Sequence, residues 1–182
     1  MTYGIIKNRG FTIFEKKLPV TQGQLIAQLM DNTRDLVHFY SSKIEEEHWM
    51  TRPEMNGVQM NSTLWTMAHL AWAQNFLILK GCSARDLGRD WMELFAIRKE
   101  MPADEHVPAI SEIRLALDDI HKAAVEVVSA LSEEELAEPN NLDAKFKRGN
   151  TKLQIISHHL RHEGCHIGHL GWLAKTFGAK TV

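Results

Sequence analysis

Four stretches of the chain repeat apolar residues with the period of an α-helix, and each predicts a long helix. The first opens at "TQGQLIAQLM", where Thr21 and Gln24 have the T-x-x-Q spacing of a capping box. Leu25, Leu29, Leu36, Tyr40 and Ile44 then recur at helical spacing, with Ile26, Met30, Thr33 and Val37 beside them. That stripe is expected to face a core. Pro53 and Gly57 mark the loop that follows. The second stretch, "NSTLWTMAHLAWAQNFLILKG", is apolar almost all round and must be largely buried. Asn61 or Ser62 can cap it and Gly81 can end it. In the third, Ile113, Leu117, Ile120, Ala124, Val127 and Leu131 step by fours and threes, a stripe made for packing against other helices. The fourth, "TKLQIISHHLRHEGCHIGHLGWLAKTFG", repeats the T-x-x-Q spacing at Thr151 and Gln154 and reaches a C-terminal glycine at Gly178. The predicted helices are 21–47, 61–80, 109–131 and 151–177. Shorter helical pieces suit "RDLGRDWMELFAIR" and "SEEELAEP".

No segment carries a convincing strand signal, so the expected fold is all-α, a four-helix bundle forming one domain over residues 1–182. Residues 81–108 separate the second helix from the third. An antiparallel neighbour needs only a few linking residues. A long link can run the length of the bundle and start the next helix in the same direction, which predicts an up-down-down-up order.

Composition narrows the function. With 44% hydrophobic and 24% charged residues the chain is an ordinary globular one. A formal charge of −2 lacks the basic footprint of a nucleic-acid binder. No run approaches the roughly 18 apolar residues of a membrane span, and the first residues lack the apolar segment of a signal peptide. Cys82 and Cys165 are too few for a disulfide framework or a cysteine-rich zinc module. These features predict a cytoplasmic protein with no membrane or nucleic-acid partner. Apolar surface left over on the first or third helix could pair two copies as a homodimer.

Five of the ten histidines fall in "HHLRHEGCHIGHL". At about 100° per residue, with His158 at zero, His169 lies near 20°, His162 near 40°, His166 near 80° and His159 near 100°. The apolar residues of this helix centre nearby, so His162, His166 and His159 sit on or beside its core face. Glu163, near 140°, also points inward, where a carboxylate needs a partner. His162 and His166 form H-x-x-x-H, whose rings stack on one side of a helix and can converge on one metal ion. The bundle must supply a third ligand, and His69 is the best candidate. It is the only histidine on the second helix and lies at mid-height, among Trp65, Trp72, Ala73 and Phe76. His38 should face solvent, His121 lies on the flank of its stripe, and His48 and His106 fall in loops. His159 remains a rival ligand, and a packed, metal-free histidine cluster remains a rival reading. The string H-E-G-C-H resembles a zincin motif. However, Glu163 points about 100° away from His162, and no further ligand follows, so a protease is not expected. Glu163 should instead accept a hydrogen bond from another helix or orient a ligand imidazole.

At these residues the sequence resembles the DinB-like (DinB/YfiT) superfamily of four-helix-bundle proteins. "NSTLWTMAHLAWAQNFLI" is similar to the family's second helix. "LDDIHKAAVEVVSALSEEELAEP" is similar to its third helix and the piece after it. "ISHHLRHEGCHIGHLGWLAKTFG" is similar to its final helix, with the pattern H-E-x-x-H-x-G followed by a polar residue, here His169. The likeness covers roughly residues 21–178; the His158–His159 pair departs from the pattern. The resemblance implies an up-down-down-up bundle and a divalent metal, zinc or nickel, held by His69, His162 and His166. Characterised branches of the family use low-molecular-weight thiols, as bacillithiol S-transferases and mycothiol-dependent isomerases. It therefore implies an open three-histidine site in a thiol S-transferase or related hydrolase acting on a small electrophile. Trp65 and Trp72 become candidate pocket walls, with plain core packing as their alternative. A non-catalytic metal-binding stress-response protein is the alternative function. Because each ligand must be unprotonated to bind, metal affinity is expected to fall as pH drops through the histidine range near about 6.5.

Overall fold

The computed structural model describes residues 3–8, 11–16 and 20–180; the other residues of the expected 1–182 domain lie outside the described ones. The chain is mostly helical. Its long elements are α1 (Gln22–Ser41), α2 (Thr63–Gln74), α3 (Ile110–Ala130) and α5 (Lys152–Thr176), with a short α4 (Glu133–Ala137) between the last two. Past Gln74, α2 continues as a π-helical segment over Asn75–Lys80. Two small antiparallel hairpins complete the structure: β1 (Tyr3–Asn8) with β2 (Phe11–Lys16), and β3 (Glu54–Met55) with β4 (Val58–Gln59). Both correct the expectation of a chain without strands. In the first, Tyr3 pairs with Lys16 and Asn8 with Phe11.

The helix ends follow from short polar side chains that replace missing backbone partners. Thr21 and Gln24 form the full capping box of α1. Ser62 caps α2 through the Trp65 amide, and Ser132 with Glu135 boxes α4. Thr151 accepts from the Gln154 amide, but the Gln154 side chain does not return the bond, so α5 has half a box. At its other end Gly178 adopts φ +84°, and the amides of Gly178 and Ala179 bond to the carbonyls of Lys175 and Ala174. This is the left-handed glycine cap of a Schellman motif. The first helix is shorter than expected: it ends at Ser41, and a single 3₁₀ turn over Glu46–His48 occupies its anticipated last turn.

Contacts join α1 to α3 and α5, and α2 to the same two helices. The buried face of α2 is nearly complete, Trp72 alone being partly exposed between Thr63 and Gln74. On α3 the buried stripe includes Ile113, Leu117, Ile120 and Ala124, then shifts by one residue to Val128. The stripe expected for α1 is corrected at its leucines, while Met30, Val37 and Ile44 are buried as expected. Leu25, Leu29 and Leu36 are 53%, 48% and 46% exposed, whereas Ala27, Met30, Arg34, Val37 and Ser41 are buried. The cause lies at the start of the helix. A Cβ on Gly23 would stand 2.6 Å from the carbonyl oxygens of both Val128 and Leu131. The helix thus approaches α3 through small residues, more closely than a leucine face would allow.

Candidate metal centre

The midpoint of α2 brings His69 against the middle of α5. Nε2 of His69 lies 3.1 Å from Nε2 of His162, which lies 3.2 Å from Nε2 of His166. One ligand atom from each ring falls within 4.8 Å of the others. A tetrahedral ion with nitrogen ligands at about 2.0–2.1 Å spaces them about 3.3 Å apart, so the two contacts that His162 makes stand near the separation a metal requires. Among the described residues no fourth histidine, cysteine or carboxylate joins the group.

The outer nitrogens orient two of the rings. His69 Nδ1 donates to the Phe95 carbonyl at 2.7 Å, which leaves a lone pair on Nε2. Nδ1 of His166 meets Nδ1 of His169 at 3.3 Å. His162 Nδ1 is buried without a partner. Nε2 of His162 faces two ring nitrogens at once. No placement of protons on neutral rings gives both contacts a well-aligned hydrogen bond, whereas a cation among three lone pairs satisfies them all. The donor set therefore fits a divalent transition-metal ion.

Burial prepares the rings to bind by opposing their protonation. It lowers the pKa of His69 against a weaker opposing effect of the Phe95 carbonyl. Burial, then the neighbouring His69, His159 and His158, brings His162 down to about 4. Burial, then His162, His69 and His169, takes His166 down to about 2. Trp65 stacks on His69 with ring centroids 4.6 Å apart and an interplanar angle of 13°. Trp72 packs 5.5 Å from His69 on its other flank and donates to Glu93. Both tryptophans therefore clamp a candidate ligand, and neither lines the two cavities beside the histidines.

Those cavities lie at opposite ends of a histidine row along α5. Ring centroids run 6.1 Å from His158 to His162, 4.6 Å on to His166, and 5.1 Å on to His169. His169 borders a cavity of about 270 Å³ whose walls include Met55, Met60, Trp172 and Leu173. His158 borders another of about 480 Å³.

The remaining candidates belong to a separate buried network. His159 is 1% exposed, lies outside the converging group and approaches Glu163 at 3.5 Å. Glu163 is fully buried and accepts from Arg34 Nε at 2.6 Å. Arg34 also donates to the Leu117 carbonyl and to Gln74, which donates to His121, which in turn donates to Asp31. Burial, the largest single effect, would raise the Glu163 pKa, but Arg34 together with His159 and His121 outweighs it and holds the carboxyl below its usual range. His159 is brought down to about 4, chiefly by burial. Glu163 thus receives its bond from another helix, and the imidazole beside it is His159 rather than a member of the triad. His38 lies at the surface near Asp118. Sequence reasoning missed Arg34 and set His121 aside. The inward phase of Glu163 was the signal that a buried cation had to exist.

A search of curated protein sequences gives no match. Among solved structures, the crystal structure of the DinB-like protein YjoA from Bacillus subtilis superposes with a TM-score of 0.54 at 14% identity, covering 87% of this chain and 95% of that one. At that identity the likeness speaks for the fold alone. The sequence model of the DinB superfamily matches residues 24–170. That span holds α2, most of α1 and all three converging histidines, and the chain belongs to the DinB superfamily.

Proposed function

We propose that the protein is a divalent-metal-dependent enzyme, a thiol S-transferase or related hydrolase acting on a small electrophile. One observation carries the reading: three imidazole nitrogens converge from two helices with no fourth protein donor among the described residues. Structural zinc sites are usually closed by four protein ligands, and catalytic ones keep a position open. A divalent ion held there would supply Lewis acidity and a position for a thiolate or water. The protein's own groups do the rest. The Phe95 carbonyl and His169 engage the outer nitrogens of His69 and His166, aiming their inner lone pairs at one point. Trp65 covers the face of His69 and excludes water from it. The apolar cavity beside His169 suits the uncharged body of an electrophile. The thiol component is supported by the family resemblance, whose characterised branches use low-molecular-weight thiols.

The same proposal takes small molecules as partners, the cytoplasm as location and up-down-down-up as helix order. The order is supported by residue pairs. Arg34 and Tyr40 of α1 meet Glu163 and Gly171 of α5, while Asp31 and His38 meet His121 and Asp118 of α3. A second reading, a non-catalytic metal-binding stress-response protein, is favoured by the placement of ligands on two helices, which an ion would tie together.

Elemental analysis of protein purified without a nickel column tests the site. About one divalent ion per chain is expected. His69→Ala, His162→Ala and His166→Ala should each lower that content sharply, and His38→Ala should leave it unchanged. The rival ligand gives the sharpest comparison: a site emptied by His159→Ala but kept by His69→Ala would overturn the assignment. Conjugation of a thiol to 1-chloro-2,4-dinitrobenzene, with metal restored to stripped protein, separates the two functions. Turnover that depends on metal supports the enzyme, and stabilisation by metal without turnover supports the second reading.

A further inference from the structure

The cavity beside His158 has a chemistry that metal binding does not explain. Its walls of about 480 Å³ include Phe146, Lys147, Arg148, Ser157, His158 and Arg161. Three permanent cations line it, and no carboxylate does. Composition does not account for this, since the chain has 23 acidic residues against 21 lysines and arginines. Elsewhere on the surface Arg85, Arg89 and Arg114 each pair with an acidic side chain. Among the described residues, no such pair includes Lys147, Arg148 or Arg161.

The cations are held in place by local structure. Lys147 and Arg148 form the tip of a tight turn closed by reciprocal backbone hydrogen bonds between Phe146 and Gly149 at 2.9 and 3.0 Å. Ser157, His158 and Arg161 share one face of α5 with Gln154. Gln154 also lines the cavity, its side chain not being spent on the helix cap. Arg161 donates to His158 Nδ1 at 2.8 Å, and the Phe146 ring lies 4.9 Å from the His158 ring. The His158 ring in turn stacks at 25° on His162, 6.1 Å away centre to centre. Only one imidazole thus separates the cationic walls from the triad.

We propose that this cavity is an anion subsite, holding the carboxylate or phosphate of a small ligand whose other end reaches the histidine triad. Guanidinium groups match both anions with paired hydrogen bonds, and clustered like charges in a cleft concentrate the field on a bound anion. Ser157 and Gln154 add neutral donors. The second half of the proposal rests on the metal-site reading; the first half does not. It gives the substrate class a definite feature: one reactant carries an anionic group a few bonds from the atom that reaches the metal.

Two titrations of the full chain test it. In the first, metal-free protein receives succinate, inorganic phosphate or neutral succinamide, and arginine side-chain NMR signals are followed. Saturable shifts with succinate or phosphate are expected, none with succinamide, and affinity about tenfold weaker in R148Q/R161Q. The stronger of the two anions identifies the group. Absence of saturation, or affinity unchanged in the variant, overturns the subsite. In the second, cobalt-loaded protein receives 3-mercaptopropionate or 2-mercaptoethanol, and the thiolate-to-cobalt absorption band is read. The carboxylated thiol should bind about tenfold more tightly, and R148Q/R161Q should abolish that advantage while cobalt content stays unchanged. Equal affinities overturn the link between subsite and metal. A band with neither thiol overturns the thiol reading above, while the first titration still decides the subsite.

Discussion

Arg34 shows how one side chain can set the interior of the bundle. It is 2% exposed and reaches Glu163 of α5, the Leu117 carbonyl of α3 and Gln74 of α2 from its own place on α1. Every donor group finds a partner, which is the condition for tolerating a buried guanidinium. Removing one member leaves the other charged and unpaired. Arg34→Met and Glu163→Leu are each expected to destabilise the protein by about 3–5 kcal/mol. The double variant should be far more stable than the sum of the two losses predicts. Urea unfolding measures all four corners of the cycle, and additive losses would show that the pair is not coupled. Metal content should survive the double variant, because neither side chain touches the triad. The inward phase of Glu163 was readable from about 100° per residue. Arg34 was not, because an arginine beside an aspartate on a polar-looking helix resembles any surface residue. The Phe95 carbonyl that orients His69 was also invisible, since a backbone acceptor leaves no mark in residue type.

At the scale of one helix, α1 carries two apolar stripes of the same period, about 135° apart around its axis. The more hydrophobic one, with Leu25, Leu29 and Leu36, is largely exposed; the one built on Gly23, Ala27, Met30 and Val37 is buried. Hydrophobicity alone favours the wrong face. The decision comes from close approach at Gly23 and from the Arg34–Glu163 pair, both of which need a partner helix before they count. By contrast, α2 and α5 were legible, because α2 is apolar all round and the α5 histidines lie in one quadrant whichever neighbour they meet. Leu25→Gln, Leu29→Gln and Leu36→Gln should each change stability by no more than about 0.5 kcal/mol. Met30→Ala should cost about 2–5 kcal/mol, and Gly23→Ala about 1–3 kcal/mol because backbone carbonyls block the added carbon. Thermal or denaturant midpoints of the five variants would settle which face is core. Leucine variants as damaging as Met30→Ala would reverse the assignment.

Across the whole molecule the buried histidines tie stability to pH. His159 falls from 6.5 to about 4, mainly through burial, and His162 and His166 fall to about 4 and about 2 for the same leading reason. In an unfolded chain these rings take up protons near about 6.5. Between that value and the folded values the unfolded state binds more protons, so stability rises with pH across the window. The metal-free protein should therefore be at full strength above the upper edge and weaken steadily as pH falls from about 6.5 towards 4. His159 alone contributes on the order of 3 kcal/mol of that loss by pH 4. Glu163 acts lower down. Its pKa is held below the usual carboxylate value, so its contribution is present above the carboxylate range and lost only as pH falls through its folded value. An ion held by the triad should depart from the simple expectation of release near about 6.5. Protons compete poorly for His162 and His166 until far lower pH, so retention should extend well below 6 and fail towards 4. Helical circular dichroism of zinc-loaded and metal-free protein, titrated from pH 8 to pH 3, measures both effects. The loaded protein should keep its structure further into acid than the metal-free form, and His159→Leu should move the metal-free transition to lower pH. Coincident transitions for the two forms would mean that the triad does not hold the ion. A metal-free transition unmoved by His159→Leu would mean that burial of this ring is not what opposes its protonation.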